Sequence, residues 1–206
     1  MPAAFFPAHL QRPGHDANKA WRAARKSARV HDAGSILMVA VEASGSGPES
    51  EAAVVGYAWW TRPEAASNVA SVIGASEEDL KSLGETFPPE LDRDAVTDMR
   101  KALLAGEEAV FGTGAQRHWY ELEILAVDPN HHRKGVGKQL VQWGLEMTIR
   151  EQKDVFLTAS PMGRPLYHSL GFKEVGTLDM FGATYTFMVY KNNPDSVIGT
   201  YTQSSS

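Results

Sequence analysis

The chain has 206 residues, 43% of them hydrophobic, enough for one sizeable core, and its lack of cysteine excludes a disulfide framework, a thiolate metal site and a cysteine nucleophile. With 20 Lys and Arg against 25 Asp and Glu the formal charge is −5, which argues against a nucleic-acid partner. No apolar run approaches the ~20 residues of a membrane span, and Met1–Leu10 lacks the basic leader and apolar region of a signal peptide, so a cytoplasmic protein without membrane association is expected.

Met1 to Gly14 is irregular, punctuated by Pro2, Pro7 and Pro13. Asp16 can cap a helix to about Arg29, with Ala17, Ala20, Trp21, Ala24 and Ala28 on one face and a basic face opposite. The apolar run Ile36–Val41 predicts a buried strand; Ser44–Glu51 is a polar turn, and Ala53–Thr61 is the returning strand of a hairpin. Trp59 and Trp60 point to opposite faces, which predicts one in the core and the other along a groove. Residues 63–117 are too long for a bare connection and predict a helical insertion. Ser76–Asp79 has capping character before Leu80 and Leu83, and Leu91, Ala95, Met99, Leu103 and Leu104 form a second stripe, expected to end at Gly106. Such an insertion is well placed to cover a substrate or simply to pack.

The stretch from Trp119 to Ile149 carries the densest signal. Tyr120, Leu122, Ile124 and Ala126 alternate with Glu121, Glu123, Leu125 and Val127, the pattern of a strand, and Asp128-Pro129-Asn130 breaks it. The basic run His132-Arg133-Lys134 leads into Gly135-Val136-Gly137, and Val136, Leu140, Val141, Leu145 and Ile149 then keep helical spacing. A strand, a basic glycine-containing loop and a helix make an anion site, because free backbone N–H groups and the positive end of the helix dipole face whatever lies over the loop. A Walker A loop would need glycine in place of His132 and Ser or Thr in place of Gln139; the dinucleotide fingerprint would need glycine in place of Leu140. Neither fits.

Downstream, Asp154–Ser160 reads as a buried strand and Pro161–Leu170 as a short helix. Phe172–Met180 and Ala183–Tyr190 read as two last strands turning at Phe181-Gly182, and residues 194–206 as a mobile polar tail. Val127-Asp128-Pro129 followed by His132-Arg133-Lys134-Gly135-Val136-Gly137 resembles the acyl-CoA loop of the GNAT-type N-acetyltransferases, [Gln/Arg]-x-x-Gly-x-[Gly/Ala] after a strand ending Val-x-Pro. His132 is the departure, where that family prefers Gln or Arg. The run Leu166-Tyr167-His168-Ser169-Leu170-Gly171-Phe172 resembles the family's later Leu-Tyr-x-x-Leu-Gly-Phe motif, in the right order.

The resemblance implies an α/β (α+β) fold over residues 1–206 as a single domain: a mixed, mostly antiparallel central sheet flanked by helices, with a V-shaped split between the strands near 119–128 and 154–160. It implies acetyl-CoA as cofactor. The diphosphate would lie over His132, Arg133, Lys134, Gly135, Val136, Gly137 and Lys138, and the pantetheine along Ile124, Leu125, Ala126 and Val127, with Ser160 and Tyr167 near its arm. Glu121 and Glu123, two residues apart on one strand face, are candidates for the base that deprotonates the amine, with Glu123 nearer the thioester end. Tyr167 is the candidate acid for the leaving thiolate. The expected reaction is acetyl transfer to a primary amine of a small molecule; a peptide or protein amine, or a non-catalytic acyl-CoA-binding module, are the alternatives. The family's usual first strand and helix have no clear counterpart, so Met1–Leu10 supplies a degenerate strand or the sheet edge is uncovered and open to pairing with a second copy. His131 and His132 diverge as neighbours and no histidine has ligand spacing, so no metal is expected.

Overall fold

The computed structural model describes residues 30–43, 52–63, 93–180 and 182–192, together with Ser27. The first apolar run forms β1 (Ser35–Ala43), and β2 (Ala52–Thr61) returns antiparallel to it. Helix α1 (Arg93–Phe111) and a 3₁₀ turn at Ala115–His118 precede β3 (Tyr120–Val127). A second 3₁₀ turn, Pro129–His131, leads into α2 (Val136–Arg150). The order continues with β4 (Val155–Ala159), α3 (Arg164–Ser169), β5 (Lys173–Met180) and β6 (Ala183–Tyr190). Among the described residues one sheet runs β1-β2-β3-β4-β6-β5, antiparallel throughout except for β3 and β4, which run parallel. This is the expected mixed, mostly antiparallel sheet with helices against it. The expected helix over Asp16–Arg29 (Ser27 apart), the turn Ser44–Glu51, the helix beginning near Ser76, the Met1–Leu10 strand and the tail lie outside the described residues.

The parallel pair is where the sheet opens. β3 and β4 match only at Tyr120–Val155 and Glu121–Phe156, while β3 continues to Val127 paired with β2 on its other side. The split therefore begins at Leu122. Its closed end is pinned: the Tyr120 N–H donates to the Asp154 carbonyl at 2.9 Å, and the Tyr120 hydroxyl donates to Glu151 at 2.6 Å while accepting from Arg62 Nη1 at 3.2 Å. Burial, and then the Glu151 carboxylate, push the Tyr120 phenol up to about 12. The buried Asp154 accepts from Lys191 Nζ at 2.9 Å, and that ammonium lies 4.0 Å above the Trp119 ring.

Side chains fill both faces. On one face α2 and α3 cover Ala58, Trp60, Tyr120, Leu122, Leu157 and Met188. Gly144 of α2 lies against the Trp60 indole, and a Cβ there would come within 2.0 Å of the ring, so only glycine allows this approach. On the other face Phe111 of α1 meets Phe156 at 5.3 Å and Phe187 at 5.9 Å between ring centroids. Trp59 and Trp60 are 1% and 0% exposed, so neither lines a groove: each face of β2 is covered.

Two sequence expectations are corrected by packing. Helix α1 does not stop at Gly106, which lies against the Phe187 ring, where a Cβ would sit 3.0 Å away; it ends at Gly112, with φ 79°. Nor does β3 keep one alternation. Trp60 pairs with Leu122 but Trp59 with Ile124, which leaves Glu123 as an extra residue, a β-bulge. After it the phase reverses. Leu125 and Val127 join Tyr120 and Leu122 on the α2 face, and Ile124 and Ala126 turn to the face of Glu121.

Candidate active site

The loop after β3 is shaped mainly by its backbone. The Asp128 side chain accepts from the Asn130 N–H at 2.8 Å and caps the 3₁₀ turn, a bond that, with His131, holds its carboxyl below the usual range. His131 Nε2 lies 2.9 Å from Glu42 Oε2 at the end of β1, and its Nδ1 lies 3.6 Å from Asp128. That contact with His131 also lowers the Glu42 carboxyl. His132 folds back so that Nε2 lies 3.0 Å from the Val127 carbonyl oxygen. Arg133 (φ 61°) and Gly135 (φ 86°) then take left-handed conformations that turn the chain into α2.

The first helical hydrogen bond of α2 runs from Gln139 N to Gly135 O, so the N–H groups of Val136, Gly137 and Lys138 have no acceptor within the helix. A Cβ on Gly135 would meet nothing within 4 Å, which leaves the space beside the helix start open. Arg133, Lys134 and Lys138 are exposed around it. Three N–H groups, the helix dipole and three cations suit a diphosphate. Gly137 faces another way: a Cβ there would stand 3.5 to 3.7 Å from Leu166, Val127 and Leu125, at the mouth of the split.

Glu121 and Glu123 lie where the split begins. Glu121 pairs with Phe156, which belongs to the cluster under α1, so the strand presents Glu121 on the α1 face. Thr61, opposite Glu121 in the β2–β3 register, donates its hydroxyl to Glu123 Oε1. Both glutamates are half-buried. The sequence places Thr61 only at the end of the returning strand and does not single it out for the site. Its contact crosses 62 positions and depends on a bulge, and no local pattern announces either.

Tyr167 occupies the other face. It is 8% exposed in the α2–α3 core, with its ring 5.8 Å from that of Phe172, and burial raises its phenol above the ordinary value. Ser160 Oγ accepts from the Gly163 N–H at 3.2 Å and its carbonyl accepts from Gly163 and Arg164 N–H at 3.0 Å, so Ser160 builds the turn that starts α3. Thus the cradle residues and Leu125, Ala126 and Val127 gather at one end of the split, while the glutamates and Tyr167 flank it from opposite faces. Among the described residues no group of three His, Asp or Glu is arranged to hold a metal ion. No helix among them is long and apolar enough to cross a membrane.

The family model described as an acetyltransferase (GNAT) domain matches residues 73–191, more than half of the chain. A protein named "Acetyltransferase" from Stachybotrys chartarum is 25% identical over 195 residues, covering 88% of this chain and 78% of its own length. Among solved structures, one titled histone acetyltransferase HPA2 and related acetyltransferase, from Corynebacterium glutamicum, superposes with a TM-score of 0.53 at 17% identity, covering 93% of this chain and 84% of that one. The structure of yncA, a putative acetyltransferase from Salmonella typhimurium with its cofactor acetyl-CoA, gives a TM-score of 0.41 at 18% identity, covering 90% and 78%.

Proposed function

The chain belongs to the GNAT acetyltransferase family, whose cofactor is acetyl-CoA, and we propose that this acyltransferase carries the acetyl group to the primary amine of a small molecule. The residues present suit the cofactor. The open space at Gly135, the free N–H groups that begin α2 and the exposed Arg133, Lys134 and Lys138 match a diphosphate, and the edge of β3 freed by the split matches the amide-bearing pantetheine arm along Leu125, Ala126 and Val127. When bound, acetyl-CoA supplies an activated acyl thioester with a thiol as leaving group.

The protein's part is to hold and move protons. Glu123 takes the proton from the attacking ammonium-derived nitrogen, directly or through one water, and Glu121 adds negative charge that draws a cationic amine to the same face. Tyr167 gives its phenolic proton to the departing sulfur. Burial disfavours the phenolate, so Tyr167 enters the reaction protonated. In this reading base and acid act from opposite faces of the sheet, through the split between β3 and β4.

What carries this reading is the end of β3–β4 pairing immediately before the bulged Glu123. A small acceptor is favoured because α1 stands on the same face, with Phe111 against Phe156 next to Glu121, and walls that side. A protein amine would want an open groove there. The test is thiol release from acetyl-CoA with spermidine, phenethylamine, glucosamine and a lysine-bearing peptide. Turnover with one of the small amines is expected; turnover with the peptide alone would overturn the acceptor class while leaving the cofactor assignment in place.

A further inference from the structure

We propose that Thr61 is the positioning residue of the base, and that it singles out Glu123 rather than Glu121; the inference rests on the reading of a β3 glutamate as the base. The two glutamates are equivalent by sequence spacing but not by register. Thr61 stands directly across from Glu121, yet its hydroxyl donates to Glu123 Oε1. The bulge creates this diagonal by inserting Glu123 between the residues that pair with Trp59 and Trp60.

A threonine suits the task. Its β-branch leaves few χ1 choices, so the donor is fixed before the carboxylate arrives. The strand end that carries it is fixed as well. Arg62 N donates to the Gly34 carbonyl at 2.8 Å, and on the opposite face Arg62 Nη1 donates to the Tyr120 hydroxyl at 3.2 Å. One carboxylate oxygen of Glu123 is thereby held by a rigid donor on β2. Without Thr61 the glutamate keeps its charge but loses this donor, and with it part of what orients the carboxylate.

Thr61→Val keeps the shape and removes the donor; Thr61→Ser keeps the donor and removes the methyl. Both are assayed with acetyl-CoA and the fastest acceptor among spermidine, phenethylamine and glucosamine, with acetyl-CoA hydrolysis in water run in parallel. Thr61→Val should lower kcat by ~10-fold or more, the usual scale for a hydrogen bond to a charged group, with KM for acetyl-CoA and calorimetric CoA affinity unchanged. Thr61→Ser should restore most of kcat. In a Glu123→Gln background Thr61→Val should cost nothing further. Normal kcat in Thr61→Val, equal losses in the Val and Ser variants, or a Thr61→Val loss that persists in full beside Glu123→Gln would each overturn the inference. Full activity of Glu123→Gln alone would instead sink the base assignment, a separate outcome.

Discussion

The two ends of the opened strand β3 are made by different means. Past Val127 the cradle is main chain: a capped 3₁₀ turn, two left-handed residues, and a helix start whose N–H groups face outward. Its demands are on φ, on side-chain size and on order along the chain. At Glu123 the surroundings are side chains delivered by other elements, Thr61 from β2 and the wall of α1 across the same face. Its demands are on register. A site made of backbone is encoded by one short segment, whereas a site made by register needs residues distant in the chain.

The sharpest way to break this contrast is at the register end. Glu123→Gln keeps size and polarity but removes the proposed base, so kcat/KM with a confirmed acceptor should fall by ~10²–10⁴-fold near neutral pH. Part of the rate should return at higher pH, where more of the amine is already neutral. CoA affinity, measured by calorimetry, should stay as it is, because the cradle is elsewhere. Near-normal turnover would make the glutamates an ordinary polar strand face.

Next in size is Tyr167→Phe. With the proposed proton donor gone, turnover should slow by ~10²-fold at every pH tested, again with CoA affinity nearly intact. The wild-type enzyme should show no loss of rate from tyrosine ionisation up to pH ~10, because burial moves that ionisation above the ordinary tyrosine value. A basic limb well below that pH which disappears in Tyr167→Phe would show that the phenol is not shielded as its burial requires.

What the sequence made legible follows the same division. The strand–loop–helix unit from Trp119 to Ile149 could be read because its signals are local: Asp128-Pro129 ends a strand, Gly135 turns into a helix, and Leu140, Val141 and Leu145 face one way. Gly106 was misread as a stop because a glycine that ends a helix and one that admits the Phe187 ring look alike until the partner is known. The phase of Leu125 and Val127 was misread because the bulge at Glu123 arises from pairing with β2, not from β3 alone. Nor does either of Trp59 and Trp60 line the groove expected for one of them, since both are buried. Thr61 was invisible until register was fixed.

At the cradle the expected effects are smaller and fall on binding. Gly135→Val forces a β-branched residue to φ 86°, a strain of ~1–3 kcal/mol, and sets a side chain in the open space proposed for the diphosphate. CoA affinity should drop ~10-fold or more in a folded protein. Gly137→Ala is the control: its methyl would meet Leu166, Val127 and Leu125 at ordinary contact distances, so CoA should bind about as before. Equal losses in the two variants would show that bulk at the mouth of the split, rather than the backbone turn, controls the cofactor.

The smallest expected effect is at His132, and it tests the backbone account most directly. The family pattern has Gln or Arg there, but in this chain the ring turns back to the Val127 carbonyl at 3.0 Å, which ties the loop to the strand end. Removing one exposed hydrogen bond of this kind costs under ~1 kcal/mol, because water replaces the ring at the freed carbonyl. His132→Ala should therefore weaken CoA binding only a few-fold and leave kcat unchanged. The Arg133, Lys134 and Lys138 charges remain, so the salt dependence of CoA binding should be that of the wild type. Glu42→Gln, which loosens only the exposed contact of the neighbouring His131, should do less still. A hundredfold loss in His132→Ala, with a flattened salt dependence, would mean that the ring leaves Val127 and meets the cofactor itself, and the cradle would then rest on side chains as much as the acceptor end does.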